Sequence, residues 1–262
     1  GQARQAPEAL KYSAMTSPFE AGLDQGPANF APLTPLAFLT RAAAVYRTKP
    51  AVIHGDRTFT YAEFAARSRR LASALRRRGI GRGDTVAVMA PNVPAMLEAH
   101  YGIPMAGAAL NALNYRLDAR TIAFILEHGR ARLLLTDTEF SPTIREALAL
   151  LPRAIPVIDI DDPLNDRGGE RLGEKDYEAL LDEGDGDFAS EEPLDEWQAI
   201  CLLYTSGTTG NPKGVVYHHR GAYLNALGNA LAFGLSPHAI YLWTLPMFHC
   251  SGWTYTWAVT AA

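Results

Sequence analysis

Residues 202–216 read Leu-Leu-Tyr-Thr-Ser-Gly-Thr-Thr-Gly-Asn-Pro-Lys-Gly-Val-Val, and this stretch predicts a strand, a phosphate loop and a second strand. The apolar run 199–204 that leads into it carries no charge, which is typical of a strand buried on both faces. The loop that follows combines several hydroxyl groups with three glycines and Lys213. Glycines let backbone N–H groups approach an anion closely, and the hydroxyls and the ammonium add further donors. The stretch therefore predicts a polyphosphate site.

Two other interpretations of this loop are weaker. A Walker A loop requires a Gly-Lys-Ser/Thr ending that opens a helix. Here Lys213 lies between Pro212 and Gly214, and the β-forming residues 215–217 follow, which disfavours a P-loop kinase or GTPase. A surface hairpin loop is the second alternative, because Gly, Asn and Pro are ordinary turn residues. A plain turn, however, has no use for so many hydroxyls beside a lysine.

Two stretches resemble motifs of a known family. Tyr204–Val216 resembles the phosphate-loop signature of the adenylate-forming enzymes, which include acyl-CoA synthetases, luciferases and the adenylation domains of peptide synthetases. The stretch Leu-Pro-Met-Phe-His-Cys-Ser-Gly-Trp at 245–253 resembles the histidine motif that follows in that family. Its Phe-His-x-x-x-Trp form is most similar to fatty-acyl-CoA synthetases. The resemblance extends back to about residue 33 and so covers most of the chain.

The resemblance implies an AMP-forming acyl-CoA synthetase acting on a fatty or related aliphatic acid, in fatty acid metabolism. Such an enzyme joins a carboxylate to the α-phosphate of ATP, releases pyrophosphate, and then lets the thiol of coenzyme A attack the acyl adenylate. The implied small-molecule partners are therefore a carboxylic acid, ATP, Mg²⁺ and coenzyme A. Two alternatives stay open: an adenylation domain that loads a carrier protein, and a non-catalytic nucleotide-binding module.

The same resemblance implies roles for individual residues. Lys213 and His249 would be catalytic, with His249 beside the acyl carboxylate and the adenylate. Thr205 would help to hold magnesium, and Trp253 would line or gate the acyl tunnel. The residues that would bind ATP around its phosphates are Thr205, Ser206, Gly207, Thr208, Thr209, Gly210 and Lys213. Taken without the family, His249 is more often a satisfied core histidine, and Trp253 is most simply a core residue.

Strand and helix patterns alternate along the chain, which predicts a doubly wound α/β sheet with flanking helices. Thr60 and Glu63 form a capping box for a helix that runs to Arg78. A helix is expected over 92–110, interrupted by Pro104, and an apolar strand over 240–245. The other expected elements are helices at 33–46, 118–128, 141–151 and 224–233, a hairpin at 51–60, and strands at 85–90, 132–136 and 155–160.

The expected domain organisation is an irregular arm at 1–32 followed by one unit over 33–262. This unit corresponds to the N-terminal portion of the AMP-binding large domain, with the phosphate loop at 204–214. An acidic connection at about 159–196 lacks apolar framing, so a solvated segment is favoured over a metal site. By this resemblance family members are about twice as long, and we expect the rest of the large domain and the small C-terminal domain to be missing from this stretch. We expect the fragment alone to be inactive.

Composition limits the remaining classes of function. The chain has 262 residues and a net charge of −4, with no basic patch among aromatic residues, so nucleic acid is not an expected partner. No apolar run reaches membrane-spanning length and no signal core opens the chain, so a cytoplasmic location is expected. Cys201 and Cys250 are the two cysteines, interpreted as reduced thiols. A homodimer is an open expectation for assembly.

Overall fold

The computed structural model describes Phe19 and residues 21–205 and 211–262. The chain divides into two compact units, residues 1–31 and residues 32–262. In the described part of the first unit, Asn29 accepts a hydrogen bond from the backbone N–H of Gly26 and donates one to the carbonyl of Asp24. Every regular element described below lies in the second unit.

The described part of the second unit contains a small hairpin and a larger sheet with helices. The hairpin strands are β1 (Pro50–His54) and β2 (Arg57–Thr60). The strands of the sheet are β3 (Thr85–Met89), β4 (Ala109–Ala112), β5 (Ala131–Asp137), β6 (Val157–Ile160), β7 (Lys175–Asp176), β8 (Ala199–Thr205) and β9 (Lys213–His218). The helices are α1 (Leu36–Val45), α2 (Tyr61–Arg77), α3 (Pro94–Met105), α4 (Ala119–His128), α5 (Ser141–Ala149), α6 (Tyr177–Asp182), α7 (His219–Ala232) and α8 (Tyr255–Ala261). None of these described helices is both long and apolar enough to cross a bilayer.

The order of the strands across the described sheet is β7-β6-β5-β3-β4-β8-β9. All neighbouring strands are parallel except β9, which is antiparallel to β8. The chain moves from β3 to β4 on one side and then returns to β5 on the other side of β3, so the direction of winding reverses at the centre. This topology confirms the doubly wound α/β fold that the alternating pattern predicts.

Alternate side chains of the central strand supply two cores, one on each face of the sheet. Val86 and Val88 of β3 join a core that also contains buried residues of α1, α2, α3 and α8. Ala87 and Met89 join the second core, to which α4 and α5 contribute. Successive side chains of a strand point to opposite faces, which explains this division. Burial of both faces explains why β3 is apolar at every position after Thr85.

Local signals place the ends of several helices as expected. The capping box at the start of α2 is present, with Glu63 N–H donating to Thr60 Oγ1 and Thr60 N–H donating to the Glu63 carboxylate. Asp118 caps α4 in the same way through the N–H of Thr121. After α2 the chain turns at Gly79, whose φ of +72° suits a residue without a Cβ atom.

One predicted helix ends earlier than expected, and one predicted strand is wrong. The helix expected over 92–110 ends at Met105, with Pro104 in its last turn, and β4 follows after Gly107, whose φ is +86°. The strand expected over 240–245 is absent from the described sheet. Its side chains do alternate in exposure, since Ile240 and Leu242 face solvent, but no described strand offers it a ladder.

The acidic connection is folded and carries several ion pairs, and most of its residues are exposed or half-buried. It contains β7 and α6 and lies along the arginine-rich α2. Arg67 Nη2 is 2.7 Å from Glu178 Oε1, and Arg76 Nη2 is 2.9 Å from Glu191 Oε1. Among the residues that the structure describes, no three His, Cys, Asp or Glu side chains are grouped as metal ligands would be.

The carboxylate of Glu98 holds the acidic connection to the core. Glu98 of α3 is 1% exposed, and its Oε1 accepts a hydrogen bond of 2.6 Å from Arg67 Nε. The hydroxyl of Tyr177, the first residue of α6, donates to Glu98 Oε2 at 2.8 Å. Glu98 therefore joins three helices through charge-assisted bonds.

The substitution Glu98→Ala should lower the free energy of unfolding by about 3 to 5 kcal/mol, because it leaves the Arg67 guanidinium without its buried partner and the buried Tyr177 hydroxyl without its acceptor. Glu146→Ala on the exposed side of α5 is the matched control and should change it by less than about 0.5 kcal/mol. Urea unfolding of both variants measures the difference. Equal, small losses in the two variants would show that the buried pair contributes no more than a surface carboxylate.

Candidate functional site

The two ends of the glycine-rich loop meet at the carboxyl edge of the sheet. Thr205 ends β8, Lys213 begins β9, and the two residues are partners in the antiparallel ladder. Both are exposed. Ligands of open α/β sheets bind outside the carboxyl ends of the parallel strands, which is where this hairpin places its loop. The predicted phosphate-binding residues Ser206, Gly207, Thr208, Thr209 and Gly210 lie outside the described residues.

The segment that carries His249 is tied to the same edge by Asn92, which follows the end of β3. Asn92 Nδ2 donates to the carbonyl of Leu245 at 2.9 Å, and Asn92 Oδ1 accepts from the N–H of Met247 at 2.9 Å. One amide thereby satisfies both a carbonyl and an N–H of a segment that has no strand partner in the described part of the chain. His249 is exposed, although its backbone is held.

An aromatic contact fixes the segment from a second side. The ring of Phe248, which is buried, lies edge-on to Tyr115 with ring centroids 4.7 Å apart. Tyr115 follows β4 and stacks on Phe140, which follows β5. Sequence reasoning missed Asn92 and Tyr115 as site residues. The available signal was their place directly after parallel strands, where side chains of neighbouring strands converge.

A left-handed turn connects His249 to α8. Cys250, Ser251, Gly252, Trp253 and Thr254 all have positive φ values, of 50°, 52°, 59°, 55° and 64°. Gly252 has no room for a side chain, because a Cβ atom there would lie 2.7 Å from the indole ring of Trp243. The glycine of the histidine motif therefore serves both the backbone conformation and a close approach.

Trp253 and Trp257 have opposite environments. Trp253 is 57% exposed, so the core interpretation of this residue is wrong, and it lines a cavity of about 450 Å³ with Tyr217, Cys250 and Asn225. Trp257 is fully buried and donates its indole N–H to the carbonyl of His100 at 3.2 Å. Trp257 is thus the structural tryptophan, and Trp253 is available to a ligand.

The two histidines at the junction of β9 and α7 have structural partners. His218 Nδ1 accepts from the N–H of Gly221 at 2.9 Å and caps α7. The Nδ1 of His219 lies 2.8 Å from Thr34 Oγ1, and burial lowers the pKa of His219 to about 4. His218 thus fixes the start of α7 directly beside the phosphate hairpin.

The thiol of Cys201 lies under the site but is inert. Cys201 is fully buried in β8, and this burial raises its pKa to about 12. The hydroxyl of Ser251 lies 3.5 Å from its sulfur, which links the strand to the left-handed turn. Because the thiolate is the reactive form, Cys201 has a packing role only.

A buried carboxylate lies at the same edge of the sheet. Asp137 ends β5, and its Oδ1 accepts from the N–H of Glu139 at 3.0 Å, whereas its Oδ2 has no partner among the described residues. It lines a polar cavity of about 200 Å³ together with Tyr115. Burial raises the pKa of Asp137 to about 6.

The sequence of this chain is similar to a known protein family and to individual enzymes. The family model described as AMP-binding enzyme matches residues 39–262. An acetate–CoA ligase of Humulus lupulus is 49% identical over 250 residues, which are 91% of this chain and 44% of that protein. A peroxisomal acetate/butyrate–CoA ligase of Arabidopsis thaliana is 48% identical over 244 residues, which are 89% of this chain and 43% of that protein. The chain therefore spans less than half the length of these relatives.

A solved structure shares the fold of this chain. O-succinylbenzoate coenzyme A synthetase of Bacillus subtilis, in complex with ATP and a magnesium ion, superposes with a TM-score of 0.67 at 27% identity. The match covers 85% of this chain and 54% of that chain.

The raised pKa of Asp137 makes a prediction about stability. Because the folded state binds this proton more tightly than the unfolded chain, stability is lost as the pH rises from about 4 through about 6. Asp137→Asn keeps the acceptor for Glu139 and removes the buried charge. It should raise the free energy of unfolding at pH 8 by about 1 to 3 kcal/mol, and this advantage should vanish near pH 4.

Denaturant unfolding across this pH range measures the effect, with Asp56→Asn in the exposed β1–β2 turn as the control. A gain that does not depend on pH, or one that the control shares, would contradict the assignment to Asp137.

Proposed function

The chain belongs to the AMP-binding enzyme family, and from this membership we propose that the full-length protein is an AMP-forming acid–CoA ligase acting on an aliphatic carboxylic acid. The observation that carries the proposal is the shared edge of the sheet. There the β8–β9 hairpin holds Thr205 opposite Lys213, and Asn92 fixes the segment that carries His249. In the proposal, the polyphosphate site and the acid site therefore lie at the same edge of the sheet.

The chemistry has two steps. A carboxylate oxygen attacks the α-phosphorus of ATP, the bond to the bridging oxygen breaks, and pyrophosphate leaves. The thiol sulfur of coenzyme A, after losing its proton, then attacks the acyl carbon, the bond to the phosphate oxygen breaks, and AMP leaves. In the first step two anions must approach each other, so positive charge and hydrogen-bond donors are the main requirement.

The phosphate loop supplies these groups in the proposal. The ammonium of Lys213 extends from an exposed strand end, and no described carboxylate is paired with it, so its charge is available to the phosphates. The exposed hydroxyl of Thr205 suits a Mg²⁺ ion that arrives with ATP, because magnesium keeps phosphate and water oxygens as most of its ligands. When bound, this ion neutralises charge on the phosphates. The hydroxyls and backbone amides of residues 206–210 complete the loop.

The acid site is proposed on the other side of the hairpin. His249, exposed on its anchored segment, would contact the acyl carboxylate and the adenylate. The 450 Å³ cavity beside Trp253 and Tyr217 would receive the acyl chain. Two relatives are named as ligases of acetate or butyrate, which supports a short aliphatic acid. Their names also favour coenzyme A over a carrier protein as the acceptor.

Pyrophosphate exchange tests adenylation directly. The full-length protein should exchange labelled pyrophosphate into ATP in the presence of aliphatic acids. Lys213→Ala should lower this rate about 10²- to 10³-fold, because one charged donor to the developing charge is lost. Lys175→Ala on β7, at the opposite edge of the sheet, is the matched control and should leave the rate unchanged. No exchange with any acid despite ATP binding would favour the non-catalytic module.

The acyl cavity is tested by chain length. Trp253→Ala removes a wall of the cavity and should shift the preference toward longer acids, measured as kcat/KM across a series from acetate upward. Trp197→Ala replaces a tryptophan that is similarly exposed but does not line the cavity, so it should keep the original preference. The same shift in both variants would remove Trp253 from the acid site.

The acceptor of the acyl group separates the two adenylating classes. Acyl transfer to a carrier protein, without transfer to coenzyme A, would support the adenylation domain that loads a carrier protein.

A further inference from the structure

The left-handed turn Cys250–Thr254 is a strained element beside the proposed acid site. A left-handed conformation costs roughly 1 to 2 kcal/mol per non-glycine residue, and four of these five residues are not glycine. Thr254 is β-branched, for which a positive φ is a marked outlier. Such a conformation persists only where the surrounding structure holds it.

Two asparagines of α7 hold the end of the turn. Thr254 is buried, and its Oγ1 accepts from Asn225 Nδ2 at 2.9 Å and from Asn229 Nδ2 at 3.0 Å. Asn229 Nδ2 also donates to the carbonyl of Trp253 at 2.7 Å. The asparagines are four residues apart and so lie on the same face of the helix. Together they bind the last two residues of the turn.

The rest of the turn is held by the core and transmits this constraint to His249. Gly252 N–H donates to the carbonyl of His249 at 2.9 Å. The carbonyl of Ser251 accepts from Thr256 Oγ1 at 3.1 Å. His249 and Trp253 therefore have fixed backbones although both side chains are exposed.

We propose that Asn229 is a positioning residue for the carboxylic acid: it holds the left-handed turn and thereby sets the directions of Trp253 and His249. This inference rests on the proposed function. Asn229 does not line the cavity, whereas Asn225 does, so an effect of Asn229 on the acid must act through the turn. The ends of the phosphate loop are held by the β8–β9 ladder, which Asn229 does not touch. Its loss should affect the acid and spare ATP.

Asn229→Asp in the full-length protein is the sharpest test, because it keeps the shape and replaces the donor with a carboxylate facing the carbonyl of Trp253. We expect kcat/KM for the acid to fall about 10- to 100-fold, with a changed chain-length preference, and KM for ATP to stay within about twofold. Asn229→Gln keeps a donor and should recover part of the loss. Leu231→Ala, 83% exposed on the same helix, is the control and should behave as the wild type.

Hydrogen exchange separates this inference from the proposed function. In Asn229→Asp, amides of 249–257 should exchange faster while those of β8 and β9 stay protected, and this readout does not require activity. Unchanged exchange in 249–257 would overturn the inference, as would equal losses for the acid and ATP. If the wild type activates no acid, the proposed function fails and the role of Asn229 toward the acid fails with it, whatever the exchange shows.

Discussion

The parallel pairing of β3 with β4 on one side and β5 on the other is the constraint on which the molecule depends. Neighbouring parallel strands end at the same edge of the sheet, so the residues that follow them lie close together there. Asn92 after β3, Tyr115 after β4 and Asp137 at the end of β5 all lie there. The next parallel strand, β8, brings Thr205 to the same edge and turns back through β9. The site is therefore a consequence of strand direction.

Segments without a ladder need another way to satisfy their backbone groups. The chain from Ile240 to His249 has no strand partner among the described residues, and the amide of Asn92 replaces the ladder at Leu245 and Met247. In the left-handed turn that follows, Asn229 donates to the carbonyl of Trp253, and Asn225 and Asn229 both donate to the side chain of Thr254. Side-chain amides suit this work because each offers both a donor and an acceptor. Positions fixed by side chains can then leave His249 and Trp253 exposed to a ligand.

The sequence allowed the fold class to be predicted because periodicity and capping are local signals. The capping box at Thr60, the hairpin and most of the strands follow from such signals. β4 was missed because its residues, Ala-Leu-Asn-Ala, lack β-branched side chains and continue the small apolar residues of α3. The strand expected over 240–245 failed for the opposite reason: its pattern is suitable, but a strand exists only with a neighbour. Pairing is a tertiary property that no window of sequence contains.

The site residues likewise divide into those that a local sequence signal predicts and those that depend on tertiary contacts. Lys213 and Thr205 could be proposed from a motif because their loop is continuous in sequence. Asn92, Tyr115 and Asn229 could not, because each acts on a partner distant in the chain; Met247, for example, is 155 positions after Asn92. The exposure of Trp253 and the burial of Trp257 likewise depend on how the turn packs against α7 and how α8 packs against α3. The presence of an aromatic residue in the sequence does not show whether its side chain lines a cavity or packs in the core.

The distribution of charge shows why the lysine of the loop is available. The arginines of α2 are neutralised by the acidic connection, through pairs such as Arg67 with Glu178 and Arg76 with Glu191. Lys213 lies on β9, at the other edge of the sheet from β7 of the acidic connection. No described carboxylate lies within ion-pair distance of it. Helix α7 then joins this edge to the strained turn: His218 caps its start beside the hairpin, and Asn229 holds Thr254 three turns later. A single rigid helix therefore fixes the distance between the proposed phosphate and acid sites, which is the geometry that a reaction between two anions requires.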